Sequence, residues 1–297
     1  MRLLILIGLM LACPGTAQAQ PAREVPVAQH IDWTMAPGAS ARYRSGGVTL
    51  TFRSRAAANL EGLLEPVLTA ELPGFAPVQA VGVATQARSE HRAAVGNGPR
   101  GPFVFFQSYS GGAHCCVNMQ LIEPGADAAG IVSFGDWDGG YIDQMPEDLD
   151  GDGALDLVLT DDRFLYAFTS YAESMPPPRI MSAIGGRAVD VSTRPAFRRF
   201  FQNAMAAARR ECVEPSEGRS ANGACAAYVA SAARLGRFEE AWQLMLREYD
   251  REYEWVYSGG CRSAVVDGQC PQGQQVEYRS FPEALRALLI EANYIRR

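Results

Sequence analysis

The sequence predicts an α+β protein. An N-terminal antiparallel β-rich domain, a sandwich or propeller-like fragment, precedes a C-terminal helical domain that contains disulfides. Three observations carry this. From about Val25 to Ile180, short apolar runs rich in β-branched and aromatic residues are separated by Gly, Asp and Pro. After Asp190 the apolar spacing becomes helical. Six of the seven cysteines lie beyond the leader-like first segment, an even number that suits an oxidising compartment.

The elements follow in chain order. Arg2 and the apolar run Leu3–Ala12 precede Ala17-Gln18-Ala19, the pattern of a signal peptide (residues 1–19) cleaved after Ala19. Leu11-Ala12-Cys13 offers a rival lipoprotein reading, with Cys13 as the anchor. The run is too short to span a bilayer, and no later stretch is long and apolar enough to do so. The β-rich domain is expected over 20–180. Val48–Phe52 alternates, Phe103–Phe106 is β-rich, and Val117–Ile122, Ile131–Phe134, Leu155–Thr160 and Phe164–Phe168 continue as short strands. Residues 56–70 fit one helix. Met175-Pro-Pro-Pro178 marks the domain's end, because proline has no N–H for a ladder.

The helical domain is expected over 190–297. Phe197, Phe200, Phe201, Ala204, Met205 and Ala208 form one stripe, and Phe238, Ala241, Trp242, Met245 and Tyr249 a second. Leu285, Leu288, Leu289 and Ala292 form a third, behind a Ser280/Glu283 capping box, and Gly236 closes the helix that starts near Ala221. The pair 221–235 and 238–253 reads as a helical hairpin; no second copy at tetratricopeptide spacing accompanies it.

The chain carries a formal charge of −6, which becomes −7 once Arg2 leaves, and its 27 basic residues are all arginine. An acidic chain offers no electrostatic footprint for nucleic acid. Proximity favours Cys212–Cys225 and Cys261–Cys270 as local bridges, each stabilising by about 2–3 kcal/mol on the chain-entropy model. Cys115 and Cys116 remain as a vicinal pair.

Asp148-Leu-Asp-Gly-Asp-Gly-Ala-Leu-Asp156 carries the chemistry. Carboxylates at positions 1, 3, 5 and 9 with glycine at 6 put several hard oxygens on one sharp turn, a donor set that suits Ca²⁺. Position 12 is Leu159 rather than the Glu of an EF-hand, and a strand follows directly. The segment resembles the calcium loop of FG-GAP or VCBS-type repeats, over about one repeat. That resemblance implies Asp148, Asp150, Asp152 and Asp156 as ligands, with the Ala154 carbonyl as backbone ligand. Phe134-Gly135-Asp136 resembles the repeat's Phe-Gly opening. Between Pro124 and Asp162 there are eleven acidic residues and no basic one, and such crowding favours a bound cation. Asp136 and Asp138 are further candidates.

Ser108-Tyr-Ser-Gly-Gly-Ala-His-Cys-Cys116 is the second cluster and resembles a segment of exported bacterial proteins of undetermined activity. Its Cys115–Cys116 pair reads as a structural disulfide, a redox-active disulfide, or with His114 a soft-metal site. Ser110 beside His114 is one hydrolase-like pairing, and the acidic run offers a glycosidase-like carboxylate pair, although calcium ligation explains those carboxylates better. The chain lacks Gly-x-Ser-x-Gly, His-Glu-x-x-His and phosphate-loop signatures. The expected function is an exported, periplasmic or secreted, calcium-stabilised binding or scaffold protein with an unidentified protein or glycan partner. The alternative is a periplasmic enzyme, redox or hydrolytic.

Overall fold

Four consecutive large side chains, Phe103, Val104, Phe105 and Phe106, are all buried. Successive side chains of a strand point to opposite faces, so this strand must be covered on both sides. It lies in the middle of a five-stranded sheet ordered β10-β9-β8-β7-β2. The strands are β2 (Ile31–Thr34), β7 (Glu90–Gly98), β8 (Gly101–Tyr109), β9 (Val117–Pro124) and β10 (Ala129–Trp137). The computed structural model that shows this describes residues 21–264 and 270–296; the expected signal segment 1–19, with Cys13, lies outside the described residues.

Val104 and Phe106 face a second five-stranded sheet. It consists of β1 (Arg23–Glu24), β3 (Ser40–Ser45), β4 (Val48–Ala56), β5 (Leu64–Glu71) and β6 (Val78–Val81), in spatial order β1-β3-β4-β5-β6. Leu50, Phe52, Leu68 and Ala80 fill the space between the two sheets. Phe103 and Phe105 face the other way, toward a three-stranded sheet of β11 (Asp156–Thr160), β12 (Pro178–Ile184) and β13 (Arg187–Asp190). There they pack with Met119, Leu121, Leu157, Leu159 and Met181. Ile180, on the opposite face of β12 from Met181, joins Val191, Phe197, Phe201 and Leu235 to seat the first helix. The layers therefore stack roughly in chain order: sheet, sheet, sheet, helices.

The helices are α1 (Arg198–Val213), α2 (Asn222–Arg234), α3 (Phe238–Glu248) and α4 (Phe281–Glu291). Every residue from Asn222 to Ala232 is buried, and most are alanine or glycine. An all-round buried helix with short side chains lets its neighbours come close. Cys212–Cys225 ties α1 to α2 with Cα atoms 4.6 Å apart. Gly236 and Arg237 close α2 as a Schellman motif, donating to Ala233 and Ala232 carbonyls at 3.1 and 2.9 Å. A small hairpin, β14 (Ser258–Cys261) with β15 (Gln275–Glu277), carries the Cys261–Cys270 bridge, Cα atoms 5.5 Å apart.

A buried polar network joins the β layers to the helices. Asp161 is fully buried and accepts from the Arg163 guanidinium at 2.7 and 2.5 Å and from the Tyr294 hydroxyl at 3.0 Å. The Arg234 guanidinium lies 4.1 Å from the Tyr294 ring centroid and 3.7 Å from Asp190, which also accepts from Arg179 at 3.1 Å. A buried carboxylate needs such partners to remain charged.

Several expectations change. Residues 56–70 are not a helix: Leu64–Glu71 is β5, paired with β4. Gly62 and Pro66 disfavour a helix, and the chain instead forms a strand that buries Val67, Leu68 and Ala70. Phe164–Phe168 is not a strand. Asp161 caps a 3₁₀ turn at Asp162–Phe164, and Phe164 and Phe168 both enter the helical core. The proline run does not end the β part, because Pro178 opens β12, the strand position where a missing N–H is tolerated. Ser280 makes no side-chain cap; Glu283 instead accepts from the Arg279 N–H at 3.0 Å.

The doubly covered sheet makes a sharp prediction at Gly96, the cross-strand partner of Phe103. A Cβ there would overlap the Phe103 ring. Gly96→Ala is expected to destabilise by about 2 kcal/mol, the usual size of an overpacked core. A urea midpoint equal to wild type would show that this layer has slack.

Candidate metal centre

The acidic loop is closed at its base by two backbone bonds. Glu147 N–H donates to Asp156 O at 3.0 Å and Asp156 N–H to Glu147 O at 2.7 Å. Gly151 and Gly153 have φ of +77° and +84°, left-handed conformations that let the chain turn tightly between them. The aspartates fold the turn around themselves. Asp148 accepts from the Gly151 and Gly153 N–H groups at 2.9 and 3.0 Å, and Asp152 from Ala154 N–H at 2.8 Å. Asp156 opens β11, whose Leu157 and Leu159 lie in the core between two sheets. The loop is thereby anchored to the core between those sheets.

One oxygen each from Asp148, Asp150 and Asp156 lies within 4.8 Å of the others, the only such group of three or more His, Cys, Asp or Glu ligands among the described residues. Asp156 is 1% exposed, and its Oδ1 is buried, while Oδ2 accepts from Leu149 N–H at 3.0 Å. Ser182, its register partner on β12, brings a buried hydroxyl to the same carboxylate. Burial pushes the Asp156 carboxyl up, hydrogen bonds from the Ser182 hydroxyl and the Leu149 N–H pull it partly back, and the Asp150 and Asp152 charges push it up again. A buried carboxylate without a counter-charge is unfavourable unless a proton or a cation reaches it. The donor set is hard oxygen throughout, so the residues present fit Ca²⁺.

Asp152 is not part of the group. Its Oδ2 is 2.5 Å from Nη1 of Arg194, which also bonds Asp150 Oδ2 at 2.7 Å. Hydrogen bonds from Ala154 and Arg194 hold the Asp152 carboxyl below its ordinary range. Ala154 is buried at the foot of the loop. Asp136 and Asp138 point elsewhere: Asp136 accepts from Asn118 at 2.8 Å and Asp138 from the Tyr171 hydroxyl at 3.2 Å. Reading the sequence locally missed Arg194, because a residue 42 positions from Asp152 supplies the cation.

The Cys115 and Cys116 sulfurs are in bonding contact with each other, with Cα atoms 3.0 Å apart across a cis peptide bond. Ser110 is committed to this turn: its hydroxyl donates to Cys115 O at 2.9 Å and accepts from Cys116 N–H at 2.7 Å. His114 is exposed and stacks on Tyr171 with centroids 4.3 Å apart, beside Tyr166. Tyr171 bonds Asp138, which lines an open cleft of about 490 Å³ together with Trp137, Gly139, Gly140, Pro176 and Phe200. Phe200, expected on the buried stripe of α1, is 39% exposed at this cleft.

The comparisons with known proteins reach most of the chain. It is 34% identical over 252 residues to the probable thylakoid lumen protein sll0997 of Synechocystis, covering 84% of this chain and 67% of that protein. It is 33% identical over 195 residues to the uncharacterized protein y4bJ of Sinorhizobium fredii, covering 65% of this chain and 30% of that protein. The sll0997 C-terminal domain model matches residues 201–293, where the four-helix part lies. No solved structure matches.

One further side-chain pair resembles catalytic machinery and is not placed to act as such. His91 is fully buried, with Nδ1 3.2 Å from Ser108 Oγ and Nε2 lacking any partner. Ser108 Oγ in turn accepts from Val83 N–H at 2.9 Å. Burial pushes the His91 pKa down to about 4. The unfolded chain takes up the proton near pH 6.5 while the folded protein refuses it until about 4. Stability is therefore full above pH 6.5 and falls as the pH drops toward 4. His91→Gln is expected to recover about 2–3 kcal/mol at pH 4.5 relative to wild type, referenced to pH 7.5. Urea melts of both proteins at the two pH values check this; parallel losses would acquit His91.

Proposed function

Because the chain belongs to the family of the probable thylakoid lumen protein sll0997, we propose that it works in an exported compartment as a calcium-stabilised binding or scaffold module. Periplasm or lumen suits its three cysteine pairs, since disulfides persist where the surroundings are oxidising. Among the described residues no helix is long and apolar enough to cross a membrane. The FG-GAP-like loop is the element we assign to the cation. The observation that carries this reading is the convergence of Asp148, Asp150 and the buried Asp156, one oxygen of each within 4.8 Å of the others.

Asp148, Asp150 and Asp156 would hold the ion, with Asp152 and the Ala154 carbonyl available at the same turn. A bound Ca²⁺ supplies positive charge and shared oxygen coordination where several carboxylates converge. The residues themselves do the structural work: Asp148 shapes the turn through Gly151 and Gly153, and Asp156 joins it to β11. The exposed rings of His114 and Tyr166, gathered on the half-buried Tyr171 beside the cleft under Phe200, are the surface we assign to a partner. Exposed clustered rings are what interfaces use.

Calcium is expected to raise the melting temperature of the mature protein and EDTA to lower it. A native-state ligand at a hundredfold excess over Kd adds about 2.7 kcal/mol. Asp150→Ala should remove most of that gain. Asp156→Asn should remove it too, while leaving the metal-free protein as stable as wild type or more so, because the unpaired buried charge is gone. Melting curves indifferent to calcium and EDTA in wild type would sink the calcium reading.

A further inference from the structure

We infer that Arg194 is a built-in cation that draws Asp152 out of the carboxylate group and so sets the affinity of the loop for calcium. This rests on the calcium reading above. The geometry divides the four aspartates. Asp148, Asp150 and Asp156 bring one oxygen each within 4.8 Å of the others, while Asp152 does not join them. Asp152 has Oδ1 on the Ala154 N–H at 2.8 Å and Oδ2 on Arg194 Nη1 at 2.5 Å. The same nitrogen reaches Asp150 Oδ2 at 2.7 Å, so one guanidinium holds two of the four aspartates in the loop.

The backbone of Arg194 is fixed independently of its side chain. Its N–H donates to Val191 O at 2.9 Å, and its carbonyl accepts from Phe197 N–H at 3.1 Å. Pro195 keeps it extended, with ψ of 142°, and Phe197 is buried immediately after. The side chain is about a third exposed, so its tip can swing into water without disturbing α1. A guanidinium and a divalent cation on the same carboxylates repel each other. Without the ion, Arg194 provides the positive charge that the stretch from Pro124 to Asp162 lacks. With the ion, it must yield at least Asp152, and affinity in such loops follows the number of charged ligands. Arg194 makes no ion pair with Asp156, so the third carboxylate of the group stays without a cation while Arg194 is engaged.

A residue that merely oriented the ligands would have the opposite effect, since losing such support weakens metal binding. The test uses the mature chain, with calcium titrated calorimetrically and melting followed in EDTA. Arg194→Gln is expected to bind calcium about two- to fivefold tighter, the size of an exposed ion pair, while its metal-free form melts lower than wild type. Arg194→Lys, which keeps the charge on a side chain with a single, more strongly hydrated donor nitrogen, should fall between them, and it serves if the glutamine variant fails to fold. Equal or weaker calcium binding in both variants, with wild type binding calcium, would overturn the inference and leave the calcium site standing. No calcium binding in any of the three folded proteins would remove the site itself, and the inference with it.

Discussion

The two-sided burial of β8 is the constraint on which the other layers depend. A strand whose four consecutive large residues all avoid water cannot sit on the surface of a two-layer sandwich. One cover is supplied by β3–β6, the other by the small sheet of β11–β13. That small sheet is narrow, and its second face would be exposed without α1. Each layer is therefore the condition for the next. The acidic loop occupies a privileged place in this order, because it ends at Asp156, the first residue of the strand that covers Phe103 and Phe105.

Charge is handled differently at the two ends of that small sheet. At one end Asp161 is sealed from water, and the Arg163 fork and the Tyr294 hydroxyl satisfy it. At the other, Asp156 has only the uncharged Leu149 N–H and Ser182 hydroxyl as donors. Both carboxylates flank the same five-residue strand, so packing is common to them. What differs is whether an arginine arrives from within. Arg163 reaches Asp161 completely, whereas Arg194 stops at the outer aspartates of the loop.

Much of this was legible in the sequence because it is local. Alternation showed β4, the glycine after Leu235 showed the end of α2, and proximity showed two cysteine bridges. The acidic turn was visible for the same reason, since its aspartates share one short loop. Illegible parts are those where one spacing serves two structures. Phe164 and Phe168 are four apart, which fits neighbouring positions on one strand face or two residues around a tight turn facing one core. Leu60, Leu64 and Leu68 look helical until Pro66 is weighed against pairing with β4. The arginine at the loop was beyond local reading altogether, because a count confined to Pro124–Asp162 says nothing about what folds onto it.

The bond from Asp161 to Tyr294 spans 133 residues, yet most strand pairs here are between neighbours in sequence. Contacts of short separation form early, while a contact that closes a long loop must await the order of what lies between. Until the segment carrying Tyr294 docks, the Asp161 carboxylate lacks one of its donors, and Phe164 and Phe168 have no completed core to enter. The sheet layers can thus assemble as they emerge, but their junction with the helices matures late. In the interval the molecule exposes two phenylalanines and a hungry carboxylate at one seam, and that seam is where a chaperone or a protease would meet it.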